Sequence, residues 1–347
     1  MMAAAYKEVI AASPRDRLDL FLTTANRLGA PVGNIEKDFW VCWTLNALYH
    51  ERPPGAPRLL FKGGTSLSKA YGLINRFSED IDVTVFRDDL DETATIEELE
   101  ILPNKKRRAR LDAIRDACRA YIMGPLQEFL NAQIAEATDG SGRVEVDTAD
   151  PDGQTLLVWY PEVERRDGAY VRPVVRIESG AKSALNPNRS IAIKPYISEE
   201  TPEFDLTIPA VTTIEASRTF WDKVVIAHGL RRWYERRGVL RQEGQRVSRH
   251  YYDLHCLLNS EVGKTALADG KLGVDCVRHA RMFFDRTDYD LASAVPGTFA
   301  LAPTDKMVDG LRTDYAKTTA MVFGTAPAFE EILASTTKIE RVLNDVI

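Results

Sequence analysis

Asp80 and Asp82 stand one residue apart in "RFSEDIDVTV" (residues 76–85), where they alternate with Ile81, Val83 and Val85. Side chains at i and i+2 of a β-strand share a face, with Cα atoms roughly 6 to 7 Å apart. The spacing therefore predicts two carboxylates side by side on one face and apolar residues on the other. Two such anions repel unless a cation lies against them. A pair of Mg2+ ions, bridged by the acids and by triphosphate oxygens, would supply that charge and stabilise both the attacking and the departing oxygen. The competing reading is a solvent-facing strand, where acids discourage edge-to-edge pairing. Upstream, "GGTS" (63–66) follows a short apolar stretch. Its glycines let the backbone approach a phosphate closely, its N–H groups can point at one, and Thr65 or Ser66 adds a hydroxyl donor. A glycine turn alone is weak evidence, but a phosphate cradle one short helix before two same-face acids places triphosphate and metals at one end of one sheet.

The elements that position these residues follow from local signals. "RLLF" (58–61) reads as a strand, "LSKAYGLI" as an amphipathic helical piece and "DIDVTVF" as the next strand, which gives a strand, glycine turn, helix, strand unit. Before it, Ser13 as N-cap and Pro14 at the first helical position open a helix that closes at Gly29, and a second helix runs from about Asn34. Residues 94–136 read as one long helix or a broken pair, with Pro103 and Pro125 as interruptions. Strands over 143–147, 155–160 and 171–179, separated by Gly, Asp and Pro clusters, form an antiparallel meander. "IAIKPYI" and "AVTTI" (210–214) precede an almost wholly helical remainder from Ala216.

With 347 residues, 44% apolar and 28% charged, the chain fits one large or two moderate globular domains. No apolar run approaches the roughly 20 residues needed to cross a bilayer, and a secretory leader is missing from its start, so no membrane role and a cytoplasmic location are expected. The four scattered cysteines show no C-x-x-C pair and read as reduced core thiols, and the five histidines offer no zinc pattern. The net charge of −6 argues against a nucleic-acid partner, but the charge is uneven. "NKKRRAR" (104–110) holds five cations, and Arg231–Arg249 holds seven arginines against Glu235 and Glu243. Such patches, rather than total charge, determine where a phosphate backbone lies, although solvated helix faces look the same in sequence.

"FKGGTSLSKAYGLINRFSEDIDV" (61–83) resembles the signature of polymerase β-type nucleotidyltransferases in their AbiEii/AbiGii toxin branch. "EKDFWV" (36–41), "FWDKVVIAHGLRR" (220–232) and "RHYYDLHCL" (249–257) resemble that branch more loosely, so the likeness spans about residues 34–260. It implies an α+β fold: a polymerase β-like nucleotidyltransferase domain over 1–214, its small mixed or antiparallel sheet flanked by helices, and a mainly α-helical C-terminal domain over 215–347. It also implies that Asp80 and Asp82 hold two Mg2+ ions and that Gly63, Gly64, Thr65 and Ser66 form the nucleotide cradle. A third carboxylate on a neighbouring strand usually completes the metal set. Glu178 in "VVRIESGAK" is the candidate, since it shares a strand face with Val174 and Arg176, although many relatives use Asp there. Lys223 lies off the apolar stripe of Phe220, Trp221, Val224, Val225 and His228, as most solvated lysines do. The resemblance nonetheless makes it a catalytic lysine that reaches the triphosphate. Asp253, one helical turn after Arg249, becomes a catalytic-site member that orients Lys223 or acts on the acceptor hydroxyl. The family's usual Arg-Asp pairing reads Arg249-His250 here, and the segment between Gly229 and Ser248 is longer than usual. Lys37, Lys62 and Lys69 are further phosphate-binding candidates, and Arg76 is a partner for Glu79.

The function these features imply is a metal-dependent nucleotidyltransferase toxin. The resemblance implies that it moves NMP from an NTP to an acceptor hydroxyl, expected to be the 3′ end of tRNA, blocking translation, and that its gene is paired with an antitoxin. The rivals are transfer to a protein or small-molecule acceptor, and a nucleotide- or RNA-binding module without turnover.

Overall fold

The computed structural model describes residues 4–163, 172–244 and 246–345. The helices and strands, in chain order, begin with α1 (Ala4–Ala11), α2 (Pro14–Leu28), α3 (Val32–Asn46), β1 (Leu59–Lys62), α4 (Gly63–Lys69) and β2 (Asp80–Val85). There follow α5 (Ile96–Ile101), α6 (Asn104–Tyr121), α7 (Gln127–Ala137), β3 (Arg143–Val146), β4 (Thr155–Trp159), β5 (Val174–Gly180), β6 (Asn188–Ile193) and β7 (Ile208–Ile214). The rest is α8 (Ala216–Arg237), α9 (Ser248–Leu258), α10 (Glu261–Ala268), α11 (Gly270–Phe283), α12 (Asp305–Thr319) and α13 (Phe329–Asn344). The chain divides into two compact units, the first comprising Met1–Ala70, Phe77–Ala94 and Pro103–Thr213, the second Tyr71–Arg76, Thr95–Leu102 and Ile214–Ile347.

The first unit is built on a mixed seven-stranded sheet in the order β3-β4-β5-β2-β1-β7-β6. The meander read from Gly, Asp and Pro punctuation is present, since β3, β4 and β5 pair antiparallel. Of the stretch expected as its last strand, Val171 lies outside the described residues. What the local signals do not contain is the central joint: β2 pairs parallel with β5 and antiparallel with β1, and β1 pairs parallel with β7. Ile81 and Val83 are fully buried while Asp80 and Asp82 are half-buried, which is the alternation expected of a strand with one face in the core. Helix α2 starts where Ser13 Oγ accepts from the Asp16 N–H, with Pro14 next, and ends at left-handed Gly29 (φ 61°). Helix α3 is buried along almost its whole length, including Glu36, Lys37 and Asp38. A helix apolar on one face only would leave the other in water. The stretch 94–136, expected as one long helix or a broken pair, holds three helices. Pro103 separates α5 from α6, whereas Pro125 is accommodated in a π-helical turn (Ile122–Leu126) that joins α6 to α7. A proline there removes a donor that a regular α-turn would need, and the wider turn absorbs the mismatch.

The second unit is helical. The 22-residue α8 ends at Gly238 in the left-handed region (φ 70°), and its Phe220 and Trp221 are core residues together with Tyr251, Leu254 and Leu257 of α9 and Ile332 and Ile339 of α13. Arg278 of α11 pairs with Glu97 and Glu100 of α5. Among the described residues no helix is long and apolar enough to cross a membrane.

Candidate active site

The register of the first unit's sheet aligns the chemistry-bearing residues. Lys62 on β1 lies opposite Asp82 on β2, Asp82 opposite Glu178 on β5, and Glu178 opposite Thr155 on β4. Cross-strand partners share a face at roughly 5 Å spacing, so Lys62, Asp82, Glu178 and Thr155 form one row across four strands. Asp80 and its partner Arg176 stand one step along on the same face. The acids are balanced by cations on the same face, with Lys62 Nζ 3.8 Å from Asp82 Oδ1 and Arg176 Nε 3.4 Å from Glu178 Oε1. Arg176 also reaches Asp147 at 3.2 Å.

The glycine turn is fitted to Asp82. Lys62 is extended (φ −151°) and Gly63 swings to φ 78° as α4 begins. A Cβ on Gly63 would stand 2.6 Å from Asp82 Cγ, so only glycine allows both the backbone turn and the carboxyl lying over it. Thr65 and Ser66 are fully buried and their hydroxyls are used inside the protein. Ser66 donates to the Gly63 carbonyl at 2.9 Å. The Thr65 hydroxyl donates to the Asp80 carbonyl and lies 2.9 Å from Ser78 Oγ, fastening α4 to the start of β2. Both hydroxyls are therefore committed inside the protein, while Gly63 and Gly64 are half-buried.

Of the lysines considered for phosphate binding, Lys37 is buried against Glu79 at 2.5 Å. Lys69 is buried against Asp38 at 2.7 Å, with its ammonium 3.6 Å above the Tyr196 ring. Burial pulls the Lys69 pKa down, but Asp38, Cys42 and Tyr196 together outweigh it, and the ammonium is held above the ordinary lysine range. Lys62 alone of the three stands in the row of acids.

Lys223 and Asp253 belong to the second unit, where they meet. Lys223 Nζ lies 2.7 Å from Asp253 Oδ2, and Arg76 grips the same carboxylate with Nε at 2.8 Å and Nη2 at 2.9 Å. Asp253 is 0% exposed, Arg76 4% and Lys223 6%. The sequence stripe left Lys223 on a solvated side. In the structure α8 packs on more than its apolar stripe, and the lysine is buried with a partner. Burial would raise the Asp253 pKa, yet Arg76 and Lys223 outweigh it and hold the carboxyl well below its usual range. Burial lowers Lys223, only partly offset by Asp253. Burial and the nearby Lys223 and Arg249 hold His250 far below the normal imidazole range, so it is neutral at pH 7. Arg76 as the clasp of Asp253 was not legible, because the two lie 177 residues apart in sequence.

The arginine run beyond Arg231 is largely occupied. Arg231 and Arg232 pair with Glu235, Arg232 donates to the Thr298 carbonyl, and Arg237 lies 2.6 Å from Asp288. These contacts pin the segment after α11 onto α8. In the first unit, Lys105, Lys106 and Arg108 at the start of α6 are exposed.

Hard oxygen donors on one sheet face beside a glycine turn suit a divalent cation and phosphate oxygens. Among the described residues no three of His, Cys, Asp and Glu are gathered closely enough to hold a metal ion. The donor set of Asp80, Asp82 and Glu178 fits such an ion by type and by register, with Asp82 turned over Gly63 and Glu178 turned toward Arg176.

Same-face acids, a glycine turn and a mixed sheet are compatible with a nucleotide-handling α+β transferase. The chain belongs to the family described as nucleotidyl transferase AbiEii toxin, type IV toxin–antitoxin system, whose model matches residues 46–335. It is accordingly a nucleotidyltransferase and the toxin of such a system. Among solved structures it is similar to MenT4, a nucleotidyltransferase toxin from Mycobacterium tuberculosis H37Rv, at 14% identity and a TM-score of 0.42, covering 93% of this chain and 97% of that one. A likeness of that size carries no residue role. No curated protein matches the chain.

Proposed function

We propose that the protein is a metal-dependent nucleotidyltransferase that moves NMP from an NTP onto the 3′ end of tRNA, and that its cognate antitoxin restrains this activity. The observation that carries the reading is the row Lys62, Asp82, Glu178 with Asp80 beside it and Gly63 shaped to the Asp82 carboxyl. Asp80, Asp82 and Glu178 would hold the divalent ions, two Mg2+ on the family resemblance, which would neutralise phosphate charge and acidify the acceptor hydroxyl. The backbone of Gly63 and Gly64 receives the phosphates, with Thr65 and Ser66 keeping the turn in shape, and Lys62 supplies charge at the same end of the strand. The acceptor oxygen bonds to the α-phosphorus in line, the bond to the bridging oxygen breaks, and pyrophosphate leaves, so the protein's part is positioning and electrostatics. The roles of Lys223, on the departing phosphates, and Asp253, as the anion that holds Lys223, rest on the family resemblance. Two cations on one buried carboxylate fit a place that receives an anion.

An RNA acceptor is supported by the exposed cations at the start of α6. Arg231, Arg232 and Arg237 are spent on internal contacts, so the backbone-gripping role is assigned to Lys105, Lys106 and Arg108. Incubating the purified chain with each α-labelled NTP, Mg2+ and total tRNA tests the reading. Label in RNA supports it. Label in protein or a small molecule replaces the acceptor, and saturable NTP binding without transfer removes the proposed reaction.

A further inference from the structure

Glu36, Lys37 and Asp38 are three consecutive charged residues inside a buried helix, at 8%, 3% and 3% exposure. Burying charge is costly, and well-packed apolar residues commonly serve stability as well or better. Successive residues of an α-helix point about 100° apart, so this triplet fans out and reaches four separate segments. Glu36 Oε1 accepts from the Val163 N–H at 2.8 Å. Lys37 Nζ meets Glu79 Oε2 at 2.5 Å. Asp38 takes Lys69 at 2.7 Å through Oδ1 and the Tyr196 N–H at 2.7 Å through Oδ2.

Two of the segments held in this way, those reached through Glu79 and Lys69, carry the candidate site. Glu79 is the residue immediately before Asp80, at the entry to β2. Lys69 is the last residue of α4, whose first residue is Gly63, so a tether at Lys69 fixes a rigid piece roughly 10 Å long that begins at the glycine turn. From these contacts we propose that Lys37 and Asp38 are positioning residues of the transferase: Lys37 fixes the carboxylates Asp80 and Asp82 through Glu79, and Asp38 fixes the phosphate-receiving turn through Lys69. The proposal rests on reading Asp80, Asp82 and the Gly63 turn as the site, and deepens that reading.

The two tethers predict different kinetic faults. Displacing the carboxylates weakens stabilisation that matters most in the transition state, whereas displacing the turn weakens NTP binding itself. Steady-state transfer from labelled NTP to total tRNA is measured for the full chain and for Lys37→Met, Glu79→Gln, Asp38→Asn and Lys69→Met, with rates normalised to the folded fraction from thermal melts. Lys37→Met and Glu79→Gln are expected to lower kcat at least tenfold with KM for NTP within twofold, and the double variant to be no worse than the worse single one. Asp38→Asn and Lys69→Met are expected to raise KM for NTP at least tenfold with kcat within threefold. Glu79→Gln keeps the side chain's shape and decides the first tether if Lys37→Met does not fold, as Asp38→Asn decides the second if Lys69→Met does not. Native kinetic constants per folded molecule, or the same fault in all four variants, overturn the proposal. Asp82→Ala is run alongside. Its retaining transfer removes the site reading itself, whereas a dead Asp82→Ala beside kinetically native tether variants removes only the tethers.

Discussion

Gly63→Ala separates the shape of the turn from the stability of the fold. Gly63 holds φ 78°, and a Cβ built there stands 2.6 Å from Asp82 Cγ and 2.9 Å from Asp82 Cβ. Carbon atoms prefer at least about 3.5 Å, so the Asp82 side chain or the turn must yield by roughly 1 Å. An L-residue in the left-handed region costs about 1 to 2 kcal/mol, and alanine returns up to about 1 kcal/mol by restricting the unfolded chain. The net loss is about 1 kcal/mol, a fall in Tm of roughly 2 to 4 °C for a unit of this size. A 1 Å misplacement of a reacting group costs on the order of 100-fold in rate. The variant is therefore expected to melt cooperatively a few degrees low and to transfer label about 100-fold more slowly, as read by a thermal melt and by incorporation of α-labelled NTP. Transfer within threefold of the unsubstituted protein would refute the idea that Asp82 and the turn are mutually fitted for chemistry.

Arg76→Met strips the bidentate partner from fully buried Asp253 and is expected to cost roughly 3 kcal/mol or more. Urea unfolding checks this, and an unchanged midpoint would contradict it. The depressed Asp253 pKa fixes a sign for acid stability: the carboxylate's contribution is full above its unfolded pKa of about 4 and is lost as pH falls below that toward the folded value. Asp253→Asn should accordingly flatten the fall in urea midpoint with decreasing pH below about 4, and an unaltered pH profile would count against the pairing. Reversing Lys105, Lys106 and Arg108 to glutamate is expected to weaken use of tRNA and flatten its salt dependence while leaving KM for NTP unchanged. An unaffected salt slope would remove the RNA face on α6. Lys223→Ala is expected to raise KM for NTP, and an unchanged NTP dependence would return the lysine to a structural role.

The central unit was legible because each of its signals is local. Alternation of Ile81 and Val83 with Asp80 and Asp82 gives a strand, and glycines after "RLLF" give a turn. The meander over β3 to β5 followed from its punctuation in the same way. What sequence could not supply was pairing at long range. Nothing near Asp82 says that its neighbours are Lys62 on one side and Glu178 on the other, because strand order depends on closing loops of many tens of residues. Glu178 is reached through the resemblance, which implies a third carboxylate on a neighbouring strand, together with strand parity, and only the register shows that it stands opposite Asp82. Lys223 reads as solvated on its own helix because the partner that justifies burying it, Asp253, comes from another helix. Lys37 and Lys69 read as free cations for phosphate because Glu79 and Asp38, their buried partners, are likewise distant in the chain. The arginine run from Arg231 reads as a phosphate-backbone surface, yet Glu235, Asp288 and the Thr298 carbonyl take up Arg231, Arg232 and Arg237.

Binding of Mn2+ as a spectroscopic substitute for Mg2+, titrated by electron paramagnetic resonance in the presence of NTP, addresses the paired carboxylates directly. The native protein is expected to bind Mn2+ saturably, and Asp80→Asn and Asp82→Asn, each melting normally, to lose at least tenfold in affinity. Equal Mn2+ affinity in all three proteins would contradict the assignment of these acids to a metal.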